Sequence, residues 1–366
     1  MAWNVIRVLY ENYDMDKREA EDLLDFVAMA TVCDVMSLTG ENRILVKEGL
    51  KRIRHTKNIG LQALMQACNV QPENISAYHF GYVLGPCVNA TGRLDTARHA
   101  LRLFETGQET EAEEIARDLV DLNQERKELT LQGVEMAKKL CEEGGYENDP
   151  VLVLFLPDVH ESIAGLIAGR IREMYNRPVF VLTRGEEGVK GSGRSTENYS
   201  MYENMCGCAE LFTKFGGHPM AAGLSLPTEN IDLFRAKLNR QQTLTEKELT
   251  PVTWIDVPMP VSYASKKLVE QLRVLEPFGK GNEKPVFADR KLTVRSANMI
   301  GKNKNVLKMQ LEDTHGHVVD AIQFKVEEED MPLRGKEISI VYYPDINEFR
   351  GNQTLQFIVQ EWCYTT

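Results

Sequence analysis

No stretch of this sequence approaches the roughly 18 consecutive apolar residues that a membrane span requires. Its first two dozen residues also lack a basic segment followed by an apolar core. Both absences argue against a membrane protein or a secretory precursor and predict a cytoplasmic one. Cysteine is scarce and odd in number. The seven residues, at positions 33, 68, 87, 141, 206, 208 and 363, make no paired framework of the kind that staples small secreted domains. Cys206 and Cys208 have no second pair or nearby His to complete a zinc tetrahedron, so they read as reduced thiols. With 14 Pro, 26 Gly and 43% hydrophobic residues, the composition is neither collagenous nor disordered. No internal repeat is visible, and 366 residues exceed one ordinary core, which predicts two or three domains.

Positive charge is also short. Lys and Arg number 43 against 54 Asp and Glu, a net charge of −11, which at first excludes a basic nucleic-acid binder. The average hides a local exception. From Pro251 onward 15 basic residues face 16 acidic ones, and between Lys280 and Lys308 eight basic residues face two acidic ones. Screening confines each field to about 10 Å, so such a patch can attract phosphates on an acidic protein. Phe278 and Phe287 beside it could offer stacking faces.

Patterning separates the chain into zones. Between Asp22 and Val70, apolar runs alternate with polar turns, as in helices flanking a buried strand. Asp95 is placed to cap a helical region, and Ile115, Leu119, Leu122, Leu129, Met136 and Leu140 recur at helical spacing to about Glu143. That long helix reads as an interdomain brace. From Val151 an apolar run, a helical segment and a Val-rich run predict a parallel βαβ unit. After Pro251, five or so short strands predict a small barrel or sandwich, preferably an OB-type barrel.

Several segments could carry chemistry. In Lys190-Gly191-Ser192-Gly193-Arg194-Ser195, two glycines admit an anion close to the backbone, two hydroxyls can donate and Arg194 offers a bidentate fork. Phosphate is the natural ligand, with a glycine hairpin carrying an exposed arginine as the alternative. Phe215 to Gly223 reads as a tight loop that presents His218. Gly85 to Arg93 reads as a turn presenting Asn89 and Arg93. Asp34, at the end of an apolar strand-like run, could be a metal carboxylate, although one carboxylate is not a metal site. His160 opens the βαβ helix, and Asp16 reads as a helix boundary.

Taken in order, these segments resemble the RecJ-like, DHH/DHHA1-family single-strand-specific exonucleases over nearly the whole chain. The resemblance rests on ATVCDVMSLTGENRILVKEGL, FGYVLGPCVNATGRL, LVDLNQERKELT, HESIAGLIAGRIREMYNRPVFVL, KGSGRS, FGGHPMAAGLSL and LEPFGKGNEKPVF. It implies an α/β protein: a partial DHH domain over 1–94, connector helices over 95–145, a DHHA1 domain over 146–242 and an OB-like nucleic-acid-binding barrel over 251–366. It further implies Asp34 as a metal ligand for Mn²⁺ or Mg²⁺, and Asn89, Arg93 and His160 as catalytic-cleft residues. Ser192, Gly193, Arg194, Ser195, Gly217 and His218, with Lys302, Lys304 and Lys308, would bind single-stranded DNA. The implied activity is 5′-to-3′ exonucleolysis in DNA repair and recombination. The family's aspartate-rich strand motif and its Asp-His-His triplet are absent from the sequence. The chain is therefore expected to be inactive unless a separately encoded N-terminal DHH part supplies them. The alternative is a non-catalytic single-strand-binding or scaffold protein.

Overall fold

The computed structural model describes residues 2–365 except Asp95, Glu187, Asn303 and Arg350; the expected cap at Asp95 thus lies outside the described residues. The chain divides into two compact units. One comprises residues 55–252, and the other joins the residues up to Arg54 to those from Thr253 onward. Among the described residues no helix is long and apolar enough to cross a membrane.

The 55–252 unit is built around a 36-residue helix, Glu109–Gly144, which ends on Gly145 in the left-handed conformation at φ 64°. Its buried stripe differs from the expected one. Ile115 and Leu119 are buried, but Met136 is 40% exposed, while Ala137 and Cys141 take the inner positions. Small residues prevail there because the crossover helix Glu161–Tyr175 approaches closely. A Cβ on Gly133 would stand 2.3 Å from Ile167 Cδ1. The sheet beneath has five strands, β1 (Leu152–Phe155), β2 (Val179–Arg184), β3 (Val189–Arg194), β4 (Lys214–His218) and β5 (Ala221–Leu226), in the order β1-β2-β3-β5-β4. β1 and β2 pair in parallel around the crossover helix, as the βαβ reading requires, and the other pairs are antiparallel.

The two faces of this sheet differ. One face of β1 and β2, with Leu152, Leu154, Val179 and Val181, packs against the long and crossover helices. The other, with Phe180, Leu182 and Leu224, packs against the helices Met201–Cys206 and Ile231–Gln241. The glycines of β3 belong to this second face. A Cβ on Gly193 would stand 2.4 Å from Met201 Sδ, and one on Gly191 would stand 2.5 Å from Leu182 Cδ2. The KGSGRS segment is thus an interior strand, neither a loop nor a hairpin tip. Phe215 to Gly223, expected as a loop, is the β4–β5 hairpin with His218 ending β4. Gly85–Leu94, expected as a turn, is a helix.

In the other unit, helices Leu24–Cys33 and Gly40–Arg52 pack so tightly that a Cβ on Gly49 would stand 2.2 Å from Leu24 O. The Ala30–Leu38 stretch is therefore helical up to Cys33, where a strand was expected; an unbroken apolar run of this length suits either element. The turn that follows is bonded to distant sequence. Leu38 N donates to Lys280 O (2.7 Å), and Arg43 Nη2 donates to Leu275 O (2.9 Å). The rest of the unit is a sheet of β6 (Val257–Pro258), β7 (Phe287–Ile300), β8 (Val306–Glu312), β9 (Val318–Phe324), β10 (Glu337–Phe349) and β11 (Asn352–Tyr364). Its order runs β10-β11-β9-β8-β7-β6, and β10 also pairs with β7, so five strands close into a barrel-like circuit around Leu292, Met309, Ile340 and Phe357.

Candidate nucleic-acid interface

The face of the 55–252 sheet that β1 and β2 fill with aliphatic residues becomes polar at β3. Antiparallel pairing keeps partners on one face. Val179 pairs with Arg194, Val181 with Ser192 and Thr183 with Lys190. β5 then contributes Ala221, Gly223 and Ser225, and β4 contributes His218, Gly216 and Lys214. A Cβ on Gly216 would meet nothing within 4 Å, and one on Gly223 only Gly191 O at 4.0 Å. The result is a strip of bare backbone bordered by Lys190, Ser192, Arg194, Lys214 and His218, a composition suited to a phosphate-bearing chain. Lys190 stood in the hexapeptide without a role of its own, and Lys214 and Ser225 were not singled out from the sequence; the strand register brings all three to this face.

At the crossover-helix end of this strip lies a cavity of about 280 Å³, lined by Glu161, Ser162, Thr183, Lys190, Ser192 and Ser225 among others. Lys190 Nζ bridges to Glu161 Oε2 at 2.7 Å, which holds the ammonium above its ordinary pKa. His160 caps the crossover helix, with Nδ1 accepting from Ser162 N and lying 2.7 Å from Ser162 Oγ. Arg93 Nη1 donates to Ser162 O at 2.6 Å. Arg93 and His160 thus meet on Ser162, and Asn89 stands exposed one helical turn before Arg93.

Arginines converge here. Burial and the nearby guanidiniums of Arg93 and Arg172 hold Arg194 below its ordinary pKa. Burial, Arg93 and Arg170 do the same to Arg126, on the long helix. Asn123 Oδ1 accepts from Arg126 Nη2 at 2.8 Å and fixes it in place. Among the described residues Arg93, Arg126 and Arg194 have no carboxylate within 4.0 Å, so no carboxylate offsets the mutual repulsion of these cations. Such a cluster calls for an anion. Gly165 makes room for it, since a Cβ there would stand 2.7 Å from Arg194 Nη2. Arg126 lies within the LVDLNQERKELT segment of the resemblance but was not singled out there as a site residue.

Other expected residues fall elsewhere. Ser195 is 1% exposed and donates to Tyr199 O at 2.5 Å, which directs its hydroxyl away from the polar strip. Gly217 lies on the opposite face from His218; a Cβ there would stand 2.4 Å from Ala221 O. Asp34 belongs to the other unit, exposed at the C-terminal end of helix Leu24–Cys33. Val35 beside it holds φ 53°, costly for a β-branched residue. Among the described residues no three His, Cys, Asp or Glu side chains come together as a metal set. One carboxylate does not fit a two-ion centre, whose metals sit about 3.5–4 Å apart.

On the barrel, Lys302 and Lys304 are exposed beside the β7–β8 turn, and Lys308 points outward from β8 between the buried Leu307 and Met309. Arg295 pairs with Glu312 and Lys284 with Asp345, whereas these three lysines have no carboxylate partner among the described residues. Phe287 is 6% exposed with its ring 6.0 Å from that of Tyr342, so it is core and offers no stacking face. Phe324, 54% exposed and paired with Val306, is the free aromatic near the lysines.

Comparison with known proteins matches two domains of the chain. Residues 148–243 match the DHHA1 domain, and residues 255–361 match the RecJ OB domain. The chain is 36% identical over 352 residues to a single-stranded-DNA-specific exonuclease RecJ of Haemophilus influenzae, covering 92% of this chain and 61% of that protein. It is 35% identical to the Escherichia coli RecJ, covering 92% and 60%. It thus spans less than two thirds of these curated relatives. The crystal structure of RecJ with Mg²⁺ from Thermus thermophilus superposes on the whole chain with a TM-score of 0.83 at 26% identity, covering 55% of that chain; a Mn²⁺ complex gives 0.84.

Proposed function

Because the chain belongs to the RecJ family, with its DHHA1 and RecJ OB domains, we propose that it is the strand-gripping part of a cytoplasmic 5′-to-3′ single-stranded-DNA exonuclease serving DNA repair and recombination. The observation that carries this reading is the convergence of Arg93, Arg126 and Arg194 without protein carboxylates, at the end of a glycine-floored polar strip. In the proposed role Arg194 and Ser192 hold a terminal phosphate, with Arg93 and Arg126 supplying charge from the facing helices. Asn89 and His160 border the cleft, and His218 lies further along the strand. Lys302, Lys304 and Lys308 on the barrel hold downstream phosphates. Divalent Mn²⁺ or Mg²⁺, when bound, would activate the attacking water. Among the described residues only Asp34 is offered as a ligand, and an N-terminal DHH part would supply the remaining ligands.

The test measures binding and hydrolysis of a 5′-phosphorylated oligonucleotide together. Arg194→Ala should weaken binding by about 1.5–3 kcal/mol, the scale of charge-assisted hydrogen bonds, at an unchanged melting temperature. Arg194→Lys should restore part of the loss, since it offers a point charge without the fork. With Mn²⁺ the chain alone should release no nucleotides. Unchanged binding in Arg194→Ala refutes the phosphate grip, and EDTA-sensitive degradation by the pure chain refutes the dependence on added ligands.

A further inference from the structure

Helix Ala77–His79, the π-helical turn Phe80–Leu84 and helix Gly85–Leu94 follow one another without a break. Along this run Tyr78, Tyr82, Asn89 and Gly92 are exposed, while Phe80, Leu84, Cys87 and Ala90 are buried. Tyr78 and Tyr82 are 62% and 71% exposed, and their rings stack with centroids 5.1 Å apart and planes 24° apart. Two large rings are thus held stacked on each other in an exposed position. An i,i+4 ring pair stabilises a helix only weakly, and π-turns are frequent at functional sites. The same run ends at Arg93, inside the arginine cluster.

We propose that Tyr78 and Tyr82 form a stacking platform for bases of a single strand whose terminal phosphate sits in the arginine cluster. The inference rests on the strand-gripping reading above and adds the base contacts that reading lacks. Every base has a π-face, so the platform is indifferent to sequence. At 1.5 Å per helical residue, Tyr82 stands about 16 Å and Tyr78 about 22 Å from Arg93 along the run. The stacked bases are therefore several nucleotides from the gripped phosphate, and a dinucleotide is too short to reach them. The phosphate cluster and the platform are then separable by substrate length.

The experiment uses the full chain and fluorescence anisotropy with three 5′-phosphorylated probes: a ten-nucleotide oligothymidylate, an abasic strand of equal length and a dinucleotide. The wild type should bind the oligothymidylate at least about tenfold more tightly than the abasic strand. Tyr78→Ala/Tyr82→Ala should lose most of that preference while binding the abasic strand and the dinucleotide as the wild type does. Tyr78→Phe/Tyr82→Phe, which keeps both rings, should retain it. Equal wild-type binding of the two long probes overturns the platform alone, as does a preference that survives the double alanine variant. Failure of all three probes to bind the wild type overturns the strand-gripping reading and the platform with it.

Discussion

Gly165→Ala offers a sharp test because its effects on stability and on binding have opposite signs. Gly165 is buried in the interior of helix Glu161–Tyr175, where Ala is favoured over Gly by up to about 1 kcal/mol. The three atoms nearest an added Cβ all belong to the end of the Arg194 side chain: Nη2 at 2.7 Å, Cζ at 3.3 Å and Nη1 at 3.5 Å. No backbone obstructs the methyl group, so the helix can accept it if the guanidinium moves. The displacement needed is on the order of 0.5–1 Å, enough to spoil a two-pronged hydrogen bond whose angular tolerance is narrow. The fold should therefore keep or slightly raise its melting temperature. Affinity for a 5′-phosphorylated oligonucleotide should fall by about 1.5–3 kcal/mol, roughly 10- to 150-fold. Anisotropy titrations of 5′-phosphorylated and 5′-hydroxyl oligonucleotides, with thermal melts of the same preparations, give both readouts. Affinity for the hydroxyl form should change little. An unchanged phosphate preference, or equal losses for both oligonucleotides, would show that Arg194 does not read the phosphate.

Two other outcomes are expected. If about four barrel lysines contact phosphates, single-strand affinity should fall with salt at a log–log slope near −3, and charge reversal of Lys302, Lys304 and Lys308 together should flatten it by about two units; a slope that does not move places the contacts elsewhere. Val35→Asn should raise stability by about 1 kcal/mol, seen as a melting temperature higher by roughly 2–4 °C, because Asn tolerates the left-handed conformation and the 61% exposed Val35 side chain leaves little burial to lose; a lowered melting temperature would mean that the Val35 side chain contributes more than its backbone strain costs.

The long helix, the βαβ unit and the many-stranded tail were legible because each repeats a period, 3.6 or 2, over enough residues to be counted. The DHHA1 and OB domains implied by the resemblance are there as well. Short glycine-rich segments were harder. Gly191 and Gly193 looked like loop formers, yet they are glycines because Phe180, Leu182 and Met201 fill the space their side chains would need. That is a tertiary fact invisible in a hexapeptide. The turn assigned to Gly85–Arg93 is a helix because its small and apolar residues Cys87, Ala90 and Thr91 are buried, which outweighs the Gly-Pro turn signal. Arg194 was recognised through its motif, whereas Arg126 and Lys214 needed helix packing and strand register to bring them to the same surface.

The bonds from Leu38 and Arg43 to residues 274–280 also bear on how the chain is made. The helices before Arg54 leave the ribosome well ahead of the segment after Thr253 with which they form one unit. At about 5–20 residues per second, the intervening 200 or so residues take on the order of 10–40 s. During that interval the 55–252 unit can complete its own core, while Leu38 still lacks the Gly279–Lys280 segment that packs on it. Premature termination soon after Val252 therefore also leaves Leu38 and Arg43 without their partners.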